Sequence, residues 1–260
     1  MTEVPEPAAA RAAAKLAAAR ARLILDKPFL GALVLRLPLV AAGEWCRTTG
    51  TDARKLYYNP QWIAGLSAAE VRFALAHEAL HCALGQFARR GHRVQRLWDL
   101  ACDFAVNPLL LDEGLKPPPG AQVLSLYRGM AAEEIYPCLD DSLDQETLDD
   151  HAWDGDDGGQ GDGQGGSGEG SGNDAPQKVG AGDTANESAA APPPPLSARG
   201  KDQLQQQWQR HLAAAAQRAR ESGKLSAILA RLADATLAPQ VSWRAALAQY
   251  LSQAARDDYS

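Results

Sequence analysis

The chain has 260 residues, with 26 Lys and Arg against 32 Asp and Glu, for a formal net charge of −6. That balance gives no electrostatic footing for nucleic acid, and the absence of an uninterrupted apolar run of about 18 residues argues against a membrane span. The four cysteines, Cys46, Cys82, Cys102 and Cys138, lie far apart with no C-x-x-C pair; this excludes a zinc knuckle or a disulfide scaffold and suits a reducing, cytoplasmic setting.

The Ala-rich opening carries Arg11, Lys15, Arg20 and Arg22 and reads as a helix across about residues 7–26. Residues 30–40 are almost wholly apolar and read as one strand or two short pieces. Thr49-Gly50-Thr51-Asp52 is a turn signal, and Lys55-Leu56-Tyr57-Tyr58-Asn59 after it reads as a further strand. Asn59-Pro60 then starts a short helical turn containing Trp62.

Ser67-Ala68-Ala69-Glu70 is a capping box that opens the next helix, and Gly91 after Arg89-Arg90 is a stop signal. Between them lies His77-Glu78-Ala79-Leu80-His81. Imidazoles four residues apart project from one helix face and can share one metal ion. Glu78 lies about 100° round the helix, suited to hold a metal-bound water and take its proton. This is the H-E-x-x-H signature of zinc metallopeptidases. From residue 73 to residue 84, His77, Glu78 and His81 are the only strongly polar side chains. A helix apolar on nearly every side is buried, and burying these three without partners would cost several kcal/mol. A Zn²⁺ ion with its water removes that cost.

A catalytic zinc usually takes three protein ligands and keeps one position open. Residues 96–108 have the apolar content of a second helix, ending near Pro108. Asp99, Asp103 and Asn107 form its polar stripe. Asp103 is the preferred third ligand. Asp99 is its competitor, in an arrangement where Asp103 instead orients a histidine. His92 follows the glycine stop and reads as a loop residue.

Beyond it, Lys116-Pro117-Pro118-Pro119-Gly120 breaks the helix series, and residues 130–139 read as a short helix. From about residue 151 the composition turns to Gly, Asp and Pro, which cannot bury enough apolar surface to offset chain entropy. The expected organisation is a metal-binding domain over 1–150, a disordered linker over 151–200 and a helical segment over 201–260. In that last segment Leu204, Trp208, Leu212 and Ala215 give one helical pattern, and Leu225, Ile228, Leu229 and Leu232 another. Ser242 caps an expected last helix with Trp243, Leu247, Tyr250 and Leu251. The overall class is α+β, mainly helical, matching a minimal zincin-like metallopeptidase domain with a small sheet. In such a fold a sheet edge receives the substrate backbone as an added strand, and residues 56–58 are the candidate edge.

The segment Leu23-Ile24-Leu25-Asp26-Lys27-Pro28-Phe29-Leu30-Gly31, the Tyr57-Tyr58-Asn59-Pro60 step, the two ligand helices and Ala132-Glu133-Glu134-Ile135-Tyr136 resemble the bacterial VWA-like (DUF2201) putative metallopeptidases. The resemblance covers roughly residues 15–140 and resumes near 240–259. It implies a zincin-like domain followed by a von Willebrand factor A-like domain, and a gene neighbourhood with a MoxR-type AAA+ ATPase as a partner. It also implies His77 and His81 as ligands, Glu78 as catalytic base and Asp103 as third ligand. Where a further histidine is expected after the motif this chain has Gln86. The chain ends at Asp257-Asp258-Tyr259-Ser260, about where the second domain is expected to begin, as in a shortened member or a fragment.

Two functions are therefore expected. One is a zinc-dependent metallopeptidase that hydrolyses peptide bonds with Glu78 as general base and with Tyr57, Tyr58 or Tyr136 as oxyanion stabiliser. The other is a non-catalytic zinc-containing adaptor for the ATPase.

Overall fold

In the computed structural model, which describes residues 7–140, 147–151, 190–238 and 247, the fold is built around one helix, α4 (Ala68–Ala83). The capping box forms: Ser67 Oγ accepts from the Glu70 amide, and Glu70 Oε2 accepts from the Ser67 amide at 2.8 Å. Every residue from 73 to 87 is buried. Helices α1 (Ala8–Asp26), α2 (Pro28–Val34), α6 (Gln95–Asp112) and α8 (Ala198–Glu221) all pack on α4, which is why its sequence is apolar on every side.

Helix α1 buries Ala12, Leu16, Ala19 and Leu23, a stripe at helical spacing. Its cations close other helices. Lys15 Nζ donates to the Ala64 carbonyl at 2.7 Å and to the Leu66 carbonyl at the end of α3 (Pro60–Gly65). Arg20 donates to the Val34 and Leu37 carbonyls at the end of α2. Helix C-termini carry unsatisfied carbonyls and partial negative charge, so both placements are favourable.

The apolar run at 30–40 is not mainly strand. Pro28 at the first helical position pre-sets α2, and only β1 (Leu39–Ala41) is extended. The turn read at 49–52 falls later. Thr49–Thr51 is a buried strand, β2, and the reversal sits at residues 52–55, where Asp52 Oδ1 accepts from the Arg54 amide at 2.9 Å and the Lys55 amide at 2.7 Å. Ala53 there has φ 63°, sparsely populated for a residue with a Cβ. Its amide is held by Thr51 Oγ1 and its carbonyl by Trp208 Nε1 of α8. Strand β3 (Leu56–Tyr58) pairs antiparallel with β2 and parallel with β1. A two-residue strand, β4 (Asp150–His151), adds parallel to β2. The order is β1-β3-β2-β4. Strand β3 is thus interior, paired on both sides, and is not the open edge expected of it.

Helix α4 ends six residues before the expected stop, at Gly85 in the left-handed region with φ 64°. The short α5 (Gln86–Arg89) follows. Helix α6 runs through Pro108 to Asp112. Pro108 removes one internal hydrogen bond, yet Val106 and Leu110 on either side are fully buried and hold the helix on the core. The other face of α6 carries Trp98 and Phe104 into a second cluster with Tyr127, Ala132 and Ile135. The last two belong to α7 (Ala132–Ile135), which is shorter than the helix expected over 130–139. Helix α8 docks through Trp208 and Leu212, and α9 (Ala227–Leu237) packs on α8. The expected linker lies largely, and the helix expected after Ser242 almost wholly, outside the described residues.

Helices α1 and α2 meet at Gly31, where an added Cβ would stand 2.7 Å from Ile24 Cα. The obstacle is backbone, so Gly31→Ala forces the helices apart and is expected to destabilise the protein by about 1–3 kcal/mol. Gly65→Ala, at a helical position with nothing within 4 Å of the new methyl, is the control and leaves the melting temperature unchanged or higher. Thermal unfolding of the two variants checks this.

Candidate metal centre

The capping box fixes where α4 begins, and its helical turn then puts His77 and His81 side by side. Their Nε2 atoms are 2.9 Å apart. Helix α6 crosses α4 so that Asp103 Oδ1 lies 3.4 Å from both Nε2 atoms. A fourth side chain enters from residues 147–151, just before and within β4. Asp149 Oδ1 is 3.4 Å from His77 Nε2, and Asp149 Oδ2 is 4.0 Å from His81 Nε2. One donor atom from each of the four residues lies within 4.8 Å of every other, and all four side chains are buried.

Donors round a tetrahedral Zn²⁺ with bonds of about 2.0–2.2 Å stand about 3.3 Å apart. Separations of 2.9 and 3.4 Å among His77, His81 and Asp103 match that spacing. Two imidazole nitrogens and carboxylate oxygens are also a donor set that zinc accepts. The residues therefore fit a divalent cation held between α4 and α6.

The surroundings orient these groups. Gln86, set aside in the sequence, places Oε1 2.5 Å from His81 Nδ1. A carboxamide oxygen only accepts, so Nδ1 carries the proton and Nε2 keeps its lone pair toward the cluster. The early break of α4 at Gly85 is what folds Gln86 back onto the histidine. Its carbonyl is in turn held by Trp98 Nε1 at 3.2 Å. His77 Nδ1 has no hydrogen-bond partner among the described residues. Asp103 Oδ2 accepts from the Leu148 amide at 2.9 Å, so the ligand helix and the segment carrying Asp149 are joined directly.

Glu78 is fully buried on α4 beside His77. Asp99 is buried one turn before Asp103 and is not part of the four-residue group. His92 is exposed in the α5–α6 loop. Of the three tyrosines considered for an oxyanion, Tyr57 and Tyr136 have hydroxyls engaged elsewhere. Tyr57 Oη donates to Asp52 at 3.3 Å, and burial followed by the Asp52 charge raises its pKa to about 12. Tyr58 is buried on β3. Tyr136 Oη accepts from the Val94 amide at the start of α6. Burial raises the thiols of Cys82 and Cys102 well above their ordinary value, so both stay protonated core groups.

No local spacing could have found Asp149. It lies 46 residues beyond Asp103, in Thr147-Leu148-Asp149-Asp150-His151, where the composition already drifts toward the acidic stretch. The one available sign was Leu148, an apolar residue among polar ones; it is buried in the main core.

Charge sets the protonation. Burial disfavours a charged His77, but Asp149 and Asp103 outweigh it and raise its pKa to about 10. Burial and Asp149 push the Asp103 carboxyl up, and the two histidines outweigh them, leaving it at about 2.

A family model described as "DUF2201_N: Putative metallopeptidase domain" matches residues 11–260. The match includes residues 141–239, where no resemblance was read in the sequence. No curated protein and no solved structure gives a significant match.

A cation must displace a proton from His77, whose pKa near 10 keeps it protonated at neutral pH without metal. Zinc titrations at pH 7 in buffers of different ionisation enthalpy are expected to show release of about one proton, with affinity falling about tenfold per pH unit on acidification. Equal heats in all buffers would contradict this. Gln86→Leu is expected to weaken zinc binding by about 10–100-fold in a competitive chelator titration.

Proposed function

We propose that the chain, which belongs to the family of putative metallopeptidase domains, is a zinc-dependent peptidase with a zincin-like ligand helix. The observation that carries this reading is the convergence of His77, His81 and Asp103 at tetrahedral spacing on two buried helices, with Glu78 fully buried beside His77.

His77, His81 and Asp103 hold the ion. Bound there, zinc lowers the pKa of water and polarises a carbonyl. Glu78 takes the proton from the attacking water and passes it to the departing amine nitrogen. Gln86 keeps His81 in the required tautomer. The apolar packing of α4 keeps bulk water from Glu78 and from the ligands, which strengthens every charge interaction among them. The substrate class is a peptide or protein segment in extended conformation.

One observation favours a second reading. Asp149 brings the protein donors to four, and four protein ligands are the mark of structural zinc. On that reading the chain is a non-catalytic adaptor working with a MoxR-type AAA+ ATPase.

Glu78→Gln separates the two. On the peptidase reading the variant keeps its zinc and its melting temperature but loses about 10²–10⁴-fold in cleavage of a quenched-fluorescence peptide library. In cells it behaves like His77→Ala. A Glu78→Gln strain indistinguishable from wild type beside a defective His77→Ala strain would establish the adaptor.

A further inference from the structure

We propose that residues 147–151 form a self-inhibiting strap, in which Asp149 is an exchangeable ligand at the metal centre and β4 covers the edge of β2 that an extended peptide would use. The proposal rests on the peptidase reading and adds to it how the site is closed.

Two independent features meet in this segment. The first is coordination. His77 and His81 come from α4 and Asp103 from α6, both long and buried, whereas Asp149 comes from an irregular stretch. It is also the looser member, 3.4 Å from one imidazole and 4.0 Å from the other. The second is backbone pairing. With β3 interior, β2 is an outer strand of the three strands within residues 39–58, and its edge is taken by residues 150 and 151 in parallel register with Gly50 and Thr51. Only two residues are paired, so the cover is small. A piece of this chain's own backbone therefore adds to the sheet as a peptide does in strand addition, while its carboxylate points an anionic oxygen at the cation site.

The strap is latched rather than merely adjacent. Leu148 inserts into the main core. Its amide donates to Asp103 Oδ2 at 2.9 Å, and its carbonyl accepts from Thr48 Oγ1 at 2.6 Å. Thr147 Oγ1 donates to the Asp149 carbonyl at 2.9 Å, which fixes the turn that presents the Asp149 side chain. Unlatching breaks a few hydrogen bonds and exposes one leucine, leaving α4 and α6 in place. Closed, the centre has four protein donors; open, it has three and a free position, the arrangement of catalytic zinc.

The test uses the full-length chain loaded with cobalt(II), a zinc surrogate with a visible spectrum, and acetohydroxamate as the probe of a free coordination position. Asp149→Ala is expected to retain one cobalt per chain and to bind acetohydroxamate about tenfold or more tightly than wild type, because the wild type spends most of its time closed. Thr48→Val loosens the latch without touching any donor and is expected to shift the affinity the same way by a smaller factor. Loss of cobalt from Asp149→Ala would make Asp149 a permanent ligand and overturn the proposal. So would Asp149→Ala binding acetohydroxamate no better than wild type, or Thr48→Val leaving the affinity unmoved. The readout is ligand exchange and not turnover, so the two failures are distinguishable: the acetohydroxamate titration reports on the strap, and Glu78→Gln turnover reports on the peptidase reading it rests on.

Discussion

Two imidazoles and two carboxylates buried at a single point are the constraint on which the rest of the structure turns. Burying ionisable groups is costly unless they are paired or coordinate a metal. Here His77, His81, Asp103 and Asp149 are all buried, and the histidine–aspartate contacts are those of mutually compensating charges. Without a cation, protons must do the compensating, which is why His77 is held at about pKa 10. With a divalent cation, the same four side chains become a ligand set and the proton is expelled. The site exchanges one source of positive charge for another, and the helices around it need not rearrange to do so.

That constraint explains the apolar wall. Helix α4 is enclosed by α1, α2, α6 and α8, so the ligands sit in a low-dielectric interior where each charge contact is strong. The devices that fix α4 are local: a capping box at Ser67 and Glu70, and a left-handed glycine at Gly85. The devices that fix its neighbours are lysine and arginine stems reaching across to helix C-termini, as at Lys15 and Arg20. Helix α8 belongs to the same structure, since Trp208 holds the carbonyl of Ala53 in the β2–β3 turn. The metal helix is therefore braced by segments that precede it and by a helix more than 100 residues beyond it.

What was legible in the sequence is what local geometry controls. The α4 start and the His77–His81 spacing follow from local helical geometry, whereas the polar stripe of the next helix offers Asp99 beside Asp103 without separating them, and the fold brings Asp103 to the histidines. What was not legible depends on contacts between distant segments. Residues 30–34 are apolar enough for a strand, and Pro28 at the first helical position together with packing against α1, α4 and α8 makes them helical. Thr49-Gly50-Thr51 looks like a turn until β3 and β4 pair with it. Gln86 reads as a departure of little effect at a position that is not a ligand, and it becomes the support of His81 because Gly85 turns the chain back. Asp149 reaches the site through strand pairing 100 residues after β2 begins, and no periodicity records such a meeting.

The charge balance links the two readings of the centre. Two carboxylates neutralise a divalent cation, so the set of four is electrically closed, and a neutral buried centre has little electrostatic demand for another ligand. Withdrawing Asp149 leaves one positive charge uncompensated by its ligands in a medium where such a charge is costly. The buried carboxylate next to His77 in the sequence is Glu78, the proton acceptor of the proposed mechanism. A carboxylate that is redundant while Asp149 is seated thus becomes the compensating charge once it leaves. Withdrawal of Asp149 thus opens a coordination position and removes one of the two neutralising charges, so closure by an acidic strap and its release are two states of one electrostatic arrangement.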